Sequence, residues 1–201
     1  MKKQLVSLIF VVIGSSACAD WRLPERRFVA GYFEVTGVAA NDVLNIRQKP
    51  SGSSVKIGYF EPDRSIVEVL GTNQSGRWGY VQAGEVMGWT SMRYLTPSTL
   101  VTFGGTDIPV GLVCFTEEPF VNYTLGNGYI KIAQMDGSAV IMPILDIKSA
   151  DETYEVTYEF NGIKQRLLVT LSANGSSSMA DIEYQWSFRT GYVVGGCSYG
   201  P

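Results

Sequence analysis

Three groups of residues have the types and spacing that could do chemistry. Gly196-Cys197-Ser198-Tyr199-Gly200 fits the Gly-x-Ser-x-Gly pattern of a nucleophile elbow. Such an elbow needs a strand before the serine, a helix after it and a histidine to take its proton. Only Pro201 follows, and the chain has no histidine. Ser53-Ser54-Val55-Lys56 fits the Ser-x-x-Lys pair of penicillin-binding enzymes. That pair works in a much larger domain, with its serine at a helix start, and here it falls in a turn-rich stretch. Glu117-Glu118 offers two adjacent carboxylates. In an extended segment neighbours point to opposite faces, so the two cannot share a substrate. Glu118, just before Pro119, reads instead as an acceptor for a backbone N–H or a nearby hydroxyl.

The missing histidine removes Ser-His-Asp and Cys-His mechanisms, histidine bases and histidine metal sites. Asp136-Gly137 and Asp151-Glu152 read as turn and surface acids rather than metal ligands. The expectation is a non-enzymatic protein with no cofactor and no metal.

The first residues read as a targeting segment. Lys2 and Lys3 precede an apolar run from Leu5 to Ile13, followed by Gly14-Ser15-Ser16 and Ala17-Cys18-Ala19. This is the pattern of a secretory signal peptide over residues 1–19, and the run is too short to span a bilayer. Ala17-x-Ala19 suits cleavage before Asp20, and Cys18 offers lipid anchoring as the other reading, although the large aliphatic residue expected three positions earlier is missing. The expected location is periplasmic or secreted, with no transmembrane segment. Without Lys2 and Lys3, the 16 Lys and Arg fall to 14 against 19 Asp and Glu, a net of −5. A nucleic-acid binder would carry a clustered basic excess, so no nucleic-acid partner is expected. Cys114 and Cys197 remain after cleavage. In an oxidising compartment two cysteines most simply pair, the other reading being two buried free thiols.

Residues 20–30 are charged and irregular and read as a leader strap. From Gly31 the texture is all β. Short strands are expected at 32–38, 44–47, 55–59, 66–70, 78–82 and 87–90, with turn-formers between them. Leu44 and Ile46 should face inward while Asn45 and Arg47 face out, and Pro50 should end that strand. Residues 96–110 change character, with Thr96-Pro97-Ser98-Thr99 and Gly104-Gly105-Thr106-Asp107 as turn chemistry, and 97–109 read as a linker. Strands resume at 129–135, 140–145, 154–160, 164–171, 182–188 and 192–194. Asn161-Gly162 is the favoured two-residue hairpin signal, because both positions tolerate positive φ. Asn174-Gly175 reads as a further turn.

The stretch 31–96 resembles the bacterial SH3 family. The matching residues are Thr36-Gly37-Val38, Asp42-Val43-Leu44-Asn45-Ile46-Arg47, Pro50-Ser51, Ile57-Gly58, Val67-Glu68-Val69, Gly76-Arg77-Trp78-Gly79-Tyr80-Val81, Gly88-Trp89 and Tyr94-Leu95. The resemblance implies a small barrel that docks an exported protein onto wall peptides or partner proteins. Tyr59, Trp78, Tyr80, Trp89 and Tyr94 are then the candidate ligand-binding aromatics, with core packing as the other reading for Trp78 and Trp89.

Residues 110–201 resemble a periplasmic family that opens with Cys-x-Gly-Thr-Glu-Pro-Phe-Trp. Cys114, Glu118, Pro119 and Phe120 match; Thr116-Glu117 stands for the Gly-Thr and Val121 for the Trp. Met179-Ala180-Asp181, Tyr184 and Gly196-Cys197 echo later family segments, while a family cysteine is missing near Ser176. That family often follows a bacterial SH3 domain, and it resembles small secreted β-barrels, including inhibitors of lysozyme.

The expected fold is therefore all-β: a small SH3-like barrel, then a second small antiparallel β-barrel or sandwich. The expected role is a cell-envelope module binding cell-wall peptide or glycan. The second role is that of a periplasmic protein-partner or inhibitor module acting through the C-terminal domain.

Overall fold

The computed structural model describes residues 31–116, 118–177 and 182–199, with backbone only for 172–177. The signal segment, Cys18, the strap at 20–30, Glu117 and the Met179-Ala180-Asp181 echo lie outside the described residues. The chain is all-β, with a seven-stranded antiparallel sheet followed by a closed antiparallel barrel.

The first unit runs β1 (Gly31–Val35), β2 (Leu44–Arg47), β3 (Lys56–Phe60), β4 (Val67–Thr72), β5 (Trp78–Ala83), β6 (Val86–Ser91), a 3-10 turn at Met92–Tyr94, and β7 (Leu95–Pro97). Its strand order is β3-β2-β6-β5-β4-β1-β7. Alternation decides the faces. Leu44 and Ile46 are buried, with Asn45 and Arg47 half-buried between them. They join Phe33, Val35, Phe60, Val67, Val69, Val81 and Leu95 in one core. A second cluster of Leu70, Tyr80 and Trp89 is also buried, with Trp78 and Met87 packed against it.

The second unit is a meander. Its strands are β8 (Leu112–Phe115), β9 (Val121–Gly126), β10 (Tyr129–Gln134), β11 (Ala139–Ala150), β12 (Thr153–Phe160), β13 (Ile163–Ser177), β14 (Ile182–Thr190) and β15 (Val193–Tyr199). Each pairs with its chain neighbour, and β15 pairs with β8 to close the barrel. Asn161 and Gly162, at φ 53° and 76°, form the expected tight hairpin. Asn174-Gly175 is not a turn. β13 runs on through it, and the register with β14 shifts between Leu171 and Gly175, so the pair serves a bulge. Strands β8, β9 and the short β7 were not expected.

The closing seam carries the disulfide. Cys114 and Cys197 face each other across β8 and β15, both fully buried, and are bonded. The bridge spans 83 residues, a loop whose closure stabilises by about 4–5 kcal/mol in the chain-entropy account. The core beside it holds Leu112, Leu125, Ile130, Val156, Leu167, Val169, Trp186 and Phe188.

The second half of the expected linker is folded onto this barrel. Val101 and Val110 are joined by a 2.8 Å backbone hydrogen bond, and Phe103 N–H donates to the Ile108 carbonyl at 3.1 Å. Ile108 is fully buried in the barrel core. The Tyr154 hydroxyl donates to Asp107 Oδ2 at 2.9 Å, which ties this hairpin to β12.

The two units also touch directly. Glu68 on β4 accepts the backbone N–H of Gln185 on β14 at 3.2 Å. The Trp186 indole N–H donates to the Tyr32 hydroxyl at 3.2 Å, and the Tyr32 ring meets Tyr199 edge-on at 5.9 Å. A 130 Å³ cleft, lined in part by Arg64, Glu68, Gln82 and Tyr199, opens beside this contact. Glu68 is half-buried as a residue, but burial of its carboxyl outweighs the Gln185 hydrogen bond and pushes the group up to about 8. Burial, and then the nearby Glu68, also raise the Tyr32 hydroxyl.

This gives a pH dependence of known sign. The folded protein holds a proton on Glu68 up to about pH 8, whereas an exposed carboxyl releases it near 4.5. Stability should be highest below the exposed value and fall as pH rises toward 8, then level off, with a slope of at most about 1.4 kcal/mol per pH unit. The chain has no histidine to confuse this window. Melting temperatures measured from pH 5 to 9 should decline for the wild type and stay nearly flat for Glu68→Gln. Identical profiles for the two proteins would refute the assignment.

Candidate binding groove

The first unit carries a groove of about 570 Å³. One wall is the loop from Gly37 to Val43 with Leu44, Asn45 and Arg47 of β2. The other is Trp78 of β5, Ser91 of β6 and Arg93-Tyr94 of the 3-10 turn. Local hydrogen bonds fix each wall. Thr36 N–H donates to the Tyr94 carbonyl at 2.9 Å, and the Thr36 and Thr96 hydroxyls lie 2.8 Å apart. Asp42 accepts its neighbour's N–H from Val43 at 2.8 Å, a local turn that a short acid favours. Asn73 accepts the Trp78 N–H at 3.2 Å through its side chain, squaring the turn before β5.

Two cations line the groove. Arg47 donates one guanidinium arm to the Ser54 carbonyl at 2.7 Å, which holds the side chain in place. Arg93 is exposed, with its guanidinium 5.8 Å from the centre of the Tyr94 ring, within cation–π range. Among the described residues neither arginine is in an ion pair; those found are Lys148 with Asp146 and Arg166 with Glu155. The groove is thus a cationic spot on a chain of formal charge −3.

Both walls meet where β2 docks on β6. A single register pair, Arg47 with Trp89, joins these strands. Thr90, fully buried, donates its hydroxyl to the Asn45 carbonyl at 3.1 Å across the same seam. Gly88 makes the approach possible. A Cβ there would lie 2.7 Å from the Arg47 carbonyl oxygen and 2.8 Å from side-chain carbons of Ile46 and Ile57.

Of the aromatics singled out from sequence, Trp78 and Tyr94 line the groove. Tyr59 is 56% exposed on β3 and stands apart from the groove lining. Tyr80 and Trp89 are corrections. They are 3% and 2% exposed, and their rings pack at 5.2 Å, so they serve the second cluster and cannot meet a ligand. Arg93 and Asp42 were missed as groove residues, and Arg47 was read only as outward-facing.

The other motifs resolve locally. Ser198 lies within β15, where no elbow turn exists, and Cys197 beside it is in the disulfide. Ser53 sits in an exposed turn, 3.1 Å from the Ser51 hydroxyl. Glu118 is exposed. The hydroxyl that organises its turn is Thr116, which accepts the Val121 N–H at 3.0 Å and lies against the Pro119 and Val121 carbonyls.

The barrel has one further surface feature. Meander topology puts the loops after β8, β10, β12 and β14 at one end. Phe120, Met135, Phe160, Ile163 and Tyr192 lie in or beside those loops and are 41–105% exposed.

Gly88→Ala should destabilise the protein by about 1–3 kcal/mol, because the added carbon meets backbone. Gly52→Ala, where a Cβ would meet nothing within 4 Å, should be near neutral. Urea midpoints report both. Equal midpoints would mean the seam is not as close as described.

No family model, curated protein or solved structure matches the chain, so its function rests on its own sequence and geometry.

Proposed function

We propose that this chain is an exported cell-envelope binding protein whose first unit docks onto cell-wall peptide or glycan. The observation that carries the reading is the groove, which Trp78 and Tyr94 line together with Arg47 and Arg93, neither of them in an ion pair among the described residues. Aromatic rings offer flat apolar faces suited to peptide backbones and sugar rings. The resemblance of residues 31–96 to bacterial SH3 domains supports the same reading. Export is supported by the signal-peptide pattern of residues 1–19, and a buried disulfide accords with an oxidising compartment. No helix of the described residues is long and apolar enough to cross a membrane.

A second reading has its own observation. The five exposed apolar side chains at one end of the barrel form the kind of surface that engages a protein partner. A periplasmic protein bound there would make the C-terminal unit the active module.

Pull-down on purified sacculi, set beside pull-down from periplasmic extract, separates the two. Trp78→Ala and Tyr94→Ala should each weaken sacculus binding by about 2 kcal/mol or more. Tyr59→Ala should bind as wild type, and Tyr80→Ala should lower the melting temperature by emptying a packed site. Melting curves for every variant separate lost binding from lost folding. Wild-type binding by both groove variants would move the function to the barrel end.

A further inference from the structure

We infer that the groove selects carboxylates, so that its ligand is the peptide portion of the wall polymer rather than neutral glycan. This rests on the docking role proposed above and names its ligand class.

Arg47 and Arg93 both line the groove, and neither has a carboxylate partner among the described residues. A guanidinium presents a planar fork of N–H donors that matches a carboxylate in two-point contact. Arg47 is already oriented by its bond to the Ser54 carbonyl, so less freedom is lost when a ligand arrives. Arg93 lies over Tyr94, which holds its plane beside an aromatic face. A peptide with a free carboxylate would fill the forks with its charge and lay its backbone along Trp78 and Tyr94.

Asp42 narrows the choice. It lines the same groove, so the lining carries two positive charges against one negative. That balance suits a single carboxylate. A polyphosphate chain would bring several negative charges toward Asp42 and meet repulsion there. A neutral sugar would leave both guanidinium forks without ionic partners.

The test uses the full-length mature protein and three solid phases. These are native sacculi, sacculi whose carboxyl groups have been converted to amides with carbodiimide and ammonia, and glycan strands freed of their peptides and then amidated in the same way, so that the lactyl carboxylates uncovered by peptide removal are also neutral. Native sacculi should bind. Amidated sacculi should bind about tenfold more weakly or worse, the loss expected for a charge-assisted hydrogen bond. Peptide-free strands should not retain the protein. Arg93→Gln should weaken binding to native sacculi by a similar factor at an unchanged melting temperature, since this side chain is exposed. Equal binding to native and amidated sacculi, or retention on peptide-free strands, would overturn the carboxylate assignment while leaving wall docking intact. No binding to any phase would overturn both.

Discussion

The groove exists because β2 comes down onto β6, and that approach depends on the side chain missing at Gly88. The strands share one register pair there, and the carbonyl of Arg47 lies where a Cβ of residue 88 would reach. The buried hydroxyl of Thr90 adds a hydrogen bond to the Asn45 carbonyl, 45 residues away in sequence. From this seam the rest of the site follows. Asn45 and Arg47 form one wall because β2 alternates, with Leu44 and Ile46 committed to the core. Ser91, Arg93 and Tyr94 form the other because β6 ends in a short 3-10 turn that brings two neighbouring residues to the groove.

The barrel is built on a different logic. Its first and last strands close on each other, so it has no free edge, and the Cys114–Cys197 bridge sits on that closure. Closure removes the unpaired edge that would invite association. Ile108 enters the barrel core from the connecting segment, which makes the connection part of the second unit rather than a tether. The contact with the first unit is small and specific, through Glu68, Tyr32, Gln185, Trp186 and Tyr199. Placing a carboxyl there costs its charge near neutral pH.

Much of the fold was legible because it is local. Leu44 and Ile46 alternate as the strand period requires, and Asn161-Gly162 announces its hairpin through positive φ. What was not legible is non-local. β8 and β9 flank the Glu118-Pro119 turn and look like loop, and β8 is made a strand partly by pairing with β15, whose Cys197 lies 83 residues from Cys114. Asn174-Gly175 carries turn chemistry, yet the long β13–β14 ladder absorbs it as a bulge. The site shows the same division. Trp78 and Tyr80 share one face of β5, so alternation cannot tell which ring is covered; packing with Leu70 and Trp89 buries Tyr80 and leaves Trp78 half free. Arg93 was invisible because its role depends on a 3-10 turn that no period announces.

The central claim is that ligand enters between Arg47, Trp78, Arg93 and Tyr94. The most direct measurement is an NMR titration of the mature protein with soluble wall peptide fragments, following the tryptophan indole N–H signals. Trp78 is half-buried at the groove, whereas Trp89 and Trp186 are 2% and 1% exposed. The account predicts a saturable shift of the Trp78 indole together with Arg93 and Tyr94 backbone amides, with the Trp89 and Trp186 indoles unmoved. Shifts confined to Phe120, Met135, Phe160, Ile163 and Tyr192 at the barrel end, or no saturable shift, would contradict it.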